Sequence, residues 1–168
     1  MIAVDTNILV YAHRQDAPFH DAAVRCVTDL AEGRAAWGIP WPCVHEFLAV
    51  VTRPRIFDPP TPLDRAVGQI DAWLESPSLT LLGEGPGYWP LLRELATTAR
   101  IAGPLVHEAR VAAICRFHGV RELWTVDRDF NRFDGVVVRN PLVTEVARER
   151  GSAYGRRRVT RRQRARSV

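Results

Sequence analysis

The chain contains no lysine; all 23 of its basic residues are arginine. That excludes any mechanism needing a lysine, whether a Schiff-base amine or a lysine holding a transferred phosphoryl group. Cysteine is scarce as well. Cys26, Cys43 and Cys115 are the three present, an odd number with no CxxC spacing. They argue against a disulfide framework or a zinc site and read as small buried hydrophobes in a reducing cytoplasm. No apolar run is long enough to span a bilayer, and the start lacks a basic-then-apolar leader, so neither a membrane association nor a signal peptide is expected. The five histidines, His13, His20, His45, His107 and His118, share no spacing. They read as surface or packing residues, and Trp37, Trp41 and Trp89 as core and loop packing.

At 168 residues the chain has the length of one domain with a substantial core. Its net charge of +4 hides a division. Residues 148–168 hold nine arginines against one acid, Glu149, a local +8 that leaves residues 1–147 at −4. The expected organisation is therefore a mildly acidic globular domain over 1–147 and an Arg-rich tail over 148–168. A tail so poor in apolar residues is expected to be disordered when free. It reads either as a solvated extension or as a source of weak, salt-sensitive affinity for nucleic acid.

Strand and helix patterns alternate. Met1–Val4 reads as a buried strand, followed by a short helix over Thr6–His13 capped by Thr6 or Asn7. A second helix is expected from Phe19 to Glu32, stopped by Gly33, and Trp37–Pro40 as a short strand. The next helix begins at Pro42 and carries Val44, Phe47, Leu48 and Val51 at core-facing spacing. Four prolines make 53–62 a loop. A helix over Leu63–Glu75, a strand over Leu79–Leu82 and helices over Trp89–Ile101 and Leu105–His118 follow, the last closed by Gly119. Strands over Leu123–Val126 and Val136–Val138 complete the domain. This alternation predicts an α/β fold: one domain with a central parallel sheet flanked by helices.

The residues that carry chemistry in that frame are acids. Asp5 ends the first apolar run and Asp127 the one at Leu123–Val126, so both are expected at the carboxyl edge of the sheet, where open α/β folds place ligands. Glu46 and Glu108 each stand near the start of an apolar helix, after Pro42 and Pro104. Carboxylates gathered together repel unless a cation sits among them, and a hard divalent ion is the usual answer. Mg²⁺ or Mn²⁺ acting on a phosphate ester suits this set, because hydrolysis needs an acidified water and neutralised phosphate charge. Asn7, two residues past Asp5, can orient a ligand. Thr125 is expected to share a sheet face with Asp127 by strand alternation. Asp129 reads as an outer ligand and Arg128 as a phosphate contact.

Plainer readings stand beside these. Asp5 could cap the helix that follows it, and Glu46 and Glu108 could be acids favoured by a helix dipole. Asp127-Arg128-Asp129 could be a turn with local ion pairing. A phosphotransfer domain of haloacid-dehalogenase or receiver type would need a second Asp near the first and a lysine; here Asn7 occupies the +2 position and no lysine exists.

Taken in order, Val4-Asp5-Thr6-Asn7, Glu46 opening a helix, Glu108-Ala109-x-x-Ala112-Ala113 and Thr125-x-Asp127-x-Asp129-Phe130 resemble the PIN-domain ribonucleases. His45-Glu46-Phe47-Leu48 and Asp127-Arg128-Asp129-Phe130-Asn131-Arg132-Phe133 are similar to the VapC toxins of toxin–antitoxin modules. The resemblance covers roughly residues 1–142. It implies a PIN-like fold and a Mg²⁺- or Mn²⁺-dependent endoribonuclease with Asp5, Glu46, Glu108 and Asp127 as catalytic, metal-binding acids and Asn7 and Thr125 in support. It implies an RNA substrate, a cognate VapB-type antitoxin and a homodimer. Two departures stand out: the third acid is usually Asp where this chain has Glu108, and the Arg-rich tail is not part of the usual domain. The alternative is a weakened or non-catalytic PIN-like domain that binds RNA or protein, with Glu108 marking the lost activity.

Overall fold

Ile2-Ala3-Val4 has no polar side chain to expose, and it forms the middle of the sheet. This strand, β1 (Ile2–Val4), pairs in parallel with β2 (Trp37–Pro40) on one side and β4 (Glu122–Trp124) on the other. β3 (Leu79–Leu82) and β5 (Val137–Arg139) form the edges, giving an all-parallel order β3-β2-β1-β4-β5. The structure, a computed structural model, describes residues 1–143. The expected domain end at 147 and the Arg-rich segment 148–168 lie outside the described residues.

Six α-helices connect the strands: α1 (Thr6–His13), α2 (His20–Glu32), α3 (Trp41–Val51), α4 (Leu63–Leu74), α5 (Tyr88–Thr98) and α6 (Val106–Phe117). Short 3₁₀ turns at Gly103–Leu105 and Arg128–Arg132 precede α6 and follow β4. The chain moves outward from β1 through β2 to β3, then crosses back to place β4 on the other flank of β1. The direction of winding therefore reverses between β1 and β4, and a crevice opens at their carboxyl ends. Asp5 and Asp127 follow those two strands.

The core explains the helix sequences. Ala109, Ala112 and Ala113 of α6 are fully buried, where small side chains let a helix lie close on its neighbours, and Phe47 of α3 packs edge-on against Trp73 at 4.9 Å. Trp37 is fully buried, whereas Trp41 and Trp89 are exposed. The three cysteines are buried. Among the described residues no helix is long and apolar enough to cross a membrane.

Several local expectations are corrected. β4 stops at Trp124 rather than running to Val126, although the Thr125 N–H still reaches the Arg139 carbonyl at 2.9 Å. The N-cap of α1 is Asp5, not Thr6 or Asn7, and its side chain makes no capping bond. Gly33 does end α2, but with an extended φ of −75°; a Cβ there would sit 2.6 Å from the Asp29 carbonyl oxygen, so close approach rather than a left-handed turn requires glycine. Gly119, with φ of +62° after α6, is the left-handed stop.

Candidate active site

The end of β1 and the first turn of α1 place Asp5 and Asn7 side by side. Asp5 is 6% exposed, and its carboxylate accepts from three neighbours. Asn7 Nδ2 donates to its Oδ2 at 2.6 Å, the Thr125 hydroxyl donates to the same oxygen at 2.7 Å, and the Cys43 thiol donates to Oδ1 at 3.6 Å. Asn7 also bridges the two strand ends: Nδ2 donates to Thr125 Oγ1 at 2.8 Å, and Oδ1 accepts the Val126 N–H at 3.2 Å. The Asp127 N–H donates to Thr125 Oγ1 at 3.0 Å. Thr125 thus supports both aspartates, through a turn beyond the strand rather than through strand alternation.

Burial, with the charge of Glu46 adding to it, pushes the Asp5 carboxyl from 3.8 up to about 6, against the bonds from Thr125 and Cys43. Burial and the neighbouring Asp5 charge hold the Cys43 thiol well above its ordinary value, so it stays protonated and donates. An ionised Asp5 in this setting gains from a nearby cation.

The other acids reach the same cavity. Asp5, Asn7, Glu46, Glu108 and Asp127 all line one cavity of about 800 Å³. Glu46 is exposed in the second turn of α3, and its Oε2 accepts the Thr6 hydroxyl at 2.7 Å. Glu108 is the third residue of α6, and its Oε2 is buried without a hydrogen-bond partner. An unpaired buried carboxylate oxygen is costly, and a cation is the partner that would satisfy it. Asp127 caps the following 3₁₀ turn, accepting the Asp129 N–H at 2.8 Å.

Thr125 backs the two aspartates without lining the cavity, and two further expected site residues stay outside. Asp129 and Arg128 are exposed and do not line the cavity; Asp129 pairs instead with Arg132 at 3.2 Å, the local ion pairing of an ordinary turn. Conversely, His45 and His107 line the cavity, His45 also lying against Trp41 at 5.7 Å. Thr6, read in the sequence as a helix cap, and Cys43, read as a small buried hydrophobe, both enter the acid network. A threonine following an acid and a lone cysteine carry no spacing signal, and their partners stand 40 and 38 residues away.

As placed, no three His, Cys, Asp or Glu side chains among the described residues converge closely enough to hold a metal. The donor chemistry nonetheless fits a hard cation: four carboxylates on one cavity, one oxygen lacking a partner, and no thiol or thioether in its lining beside the two imidazoles.

The sequence matches the family model described as "PIN domain" over residues 2–136. It is 34% identical over 138 residues to "Ribonuclease VapC48" of Mycobacterium tuberculosis, covering 82% of this chain and 95% of that protein. "Ribonuclease VapC43" of the same species is also 34% identical, over 142 residues that cover 84% of this chain and 96% of that one. Among solved structures, VapBC2 of Rickettsia felis, bound to a DNA fragment from its promoter, matches with a TM-score of 0.62 at 19% identity, covering 83% of this chain and 98% of that one. The M. tuberculosis sarcin-ricin-loop-cleaving toxin VapC20 matches with a TM-score of 0.60 at 17% identity, covering 82% and 97%. These structures share the fold, a parallel sheet flanked by helices.

Proposed function

The chain belongs to the PIN-domain family, and from that premise we propose that it is a metal-dependent endoribonuclease, the toxin of a VapBC-type toxin–antitoxin module, hydrolysing RNA phosphodiester bonds in the cytoplasm. The observation that carries the reading is the meeting of Asp5, Glu46, Glu108 and Asp127 on one cavity at the winding reversal of the sheet, with Glu108 Oε2 buried and unpaired.

Asp5, Glu46, Glu108 and Asp127 would hold a Mg²⁺ or Mn²⁺ ion, directly or through water. Such an ion supplies Lewis acidity, acidifying water and offsetting charge on the phosphate. The chain's own residues prepare its seat. Asn7 and Thr125 fix the Asp5 carboxylate from two sides, and the Cys43 thiol fixes its second oxygen. The Thr6 hydroxyl orients Glu46, and the cap on Asp129 N–H orients Asp127. Arg128, exposed beside Asp127, contacts a phosphate of the RNA outside the cavity, while Asp129 holds the turn through Arg132.

Four carboxylates on one cavity also define how the enzyme is silenced. A cation delivered by a protein competes with metal and RNA at once, and Arg does so with two parallel hydrogen bonds per carboxylate. A small VapB-type antitoxin is the expected partner, binding a homodimer of the toxin. The test is cleavage of RNA by the purified chain with EDTA, with Mg²⁺ and with Mn²⁺. Cleavage abolished by EDTA and restored by either ion supports the reading. Cleavage indifferent to EDTA, or none with any ion, contradicts it.

A further inference from the structure

The acids occupy only part of the cavity. Beyond them, and beside His45, His107 and Arg110, its lining includes apolar and aromatic side chains: Val10 and Tyr11 from α1, Val50 from α3, Ile56 and Phe57 from the 53–62 loop, and Val111 from α6. The order along the helices is regular. Asn7 and Tyr11 are four apart on α1, Glu46 and Val50 four apart on α3, and Glu108 and Val111 three apart on α6. Each helix therefore presents a polar group and, one turn of about 5.4 Å further on, an apolar one on the same face. An ion with its waters needs the polar end alone. A cavity of about 800 Å³ lined by acids and by apolar side chains suits a ligand whose anionic end is met through a cation at the acids and whose other end is flat and apolar.

A nucleotide has that division, with its sugar as the spacer between phosphate and base. We infer that the apolar wall formed by Tyr11, Val50, Ile56 and Phe57 is a seat for an unpaired nucleobase of the RNA, adjoining the phosphate held at the acids. The inference rests on the proposed role of the acidic site. Single-stranded RNA is bound largely by splaying out bases and stacking them on aromatic rings. The Phe57 ring is fixed in place from one side. The Arg14 guanidinium lies 4.2 Å over its ring and is itself fixed to both oxygens of Asp16, at 2.8 and 2.7 Å, and to the Pro59 carbonyl at 3.1 Å. Ile56, beside it, is 46% exposed, an apolar side chain of the wall left open to solvent. The loop residues thus bring a fixed ring and an open aliphatic group to the cavity.

The test uses a short single-stranded oligoribonucleotide carrying 2-aminopurine at successive positions, titrated with Mg²⁺ into the full chain bearing Asp5→Asn so that it is not cut. The same titration is run with Phe57→Leu and Tyr11→Leu added singly, variants that keep apolar bulk and remove the ring. The seat predicts quenching of 2-aminopurine at one or two positions only, and affinity weakened roughly tenfold by either Leu variant. Tyr11→Phe, which retains a ring, should bind as its parent does. Uniform brightness at every position, or Leu variants that bind unchanged, would overturn the seat and leave the wall to an apolar side chain of a protein partner. The readout is separate from cleavage. Quenching that survives while the unmodified chain cuts no RNA would count against the nuclease reading and not against the seat.

Discussion

Thr125 donates its hydroxyl to Asp5 across 2.7 Å, joining residues 120 positions apart at the ends of two neighbouring strands. The same oxygen accepts from Asn7 Nδ2 and from the Asp127 N–H, so its one proton and both lone pairs are used. Thr125 itself is buried, at 1% exposed.

Thr125→Val keeps the shape and removes every one of those bonds. Half-buried groups on Asn7 and Asp127 then lose a partner, and Asp5 loses a donor. Urea unfolding should show a loss of about 2–3 kcal/mol, whereas Thr125→Ser, which keeps the hydroxyl, should lose under about 1 kcal/mol. A valine variant as stable as the unmodified chain would show that the hydroxyl holds nothing together.

Asp5 supplies a pH signature. Its carboxyl is raised from 3.8 to about 6 in the folded chain, so the folded state holds the proton more tightly than the unfolded one. That contribution to stability is complete below about pH 4 and is lost as pH rises through 6. Asp5→Asn removes the penalty, and its amide can keep its oxygen toward Thr125 and Asn7 while turning its NH₂ toward Cys43. In EDTA at pH 8 the variant should be the more stable protein, by up to ~3 kcal/mol. The difference should shrink through pH 6 and vanish near pH 4. Added Mg²⁺ should stabilise the unmodified chain selectively. A variant less stable than its parent at pH 8 in EDTA would contradict this account of Asp5.

The parts legible in the sequence were those with a short period or a sharp boundary. Helix α3 shows in its apolar spacing, α6 in its stop at Gly119, and β1 and β4 in apolar runs ending on an acid. The family pattern put Asp5, Asn7, Glu46, Glu108 and Asp127 together, and all five line one cavity. What escaped depended on contacts far apart in the chain. Thr6 to Glu46 and Cys43 to Asp5 are pairings that no local rule anticipates. Thr125 was assigned its face by strand alternation, yet the ladder ends one residue earlier and a turn positions it. The 53–62 loop has no period at all, so Ile56 and Phe57 showed no sign in sequence of facing the cavity.

Glu108 tests whether charge or length matters at the third acid. Its buried, unpaired Oε2 asks for a cation. Glu108→Gln offers that cation a neutral amide and should abolish most RNA cleavage. Glu108→Asp keeps the charge on a shorter arm and should cleave within about tenfold of the unmodified chain, roughly 1.4 kcal/mol of barrier. Full activity in the Gln variant would reduce Glu108 to an acid at a helix start. Activity raised by orders of magnitude in the Asp variant would mark the natural Glu as a weakened site.

The central claim is that the four acids make this chain a metal-dependent cutter of RNA, and mapping RNA 5′ ends after induced expression tests it most directly. The unmodified chain and Asp5→Asn are expressed to equal levels without an antitoxin. The account predicts new 5′ ends at discrete positions and arrested growth with the unmodified chain, and neither with the Asn variant. Asp5→Asn generating the same 5′ ends, or the unmodified chain generating none, would contradict it.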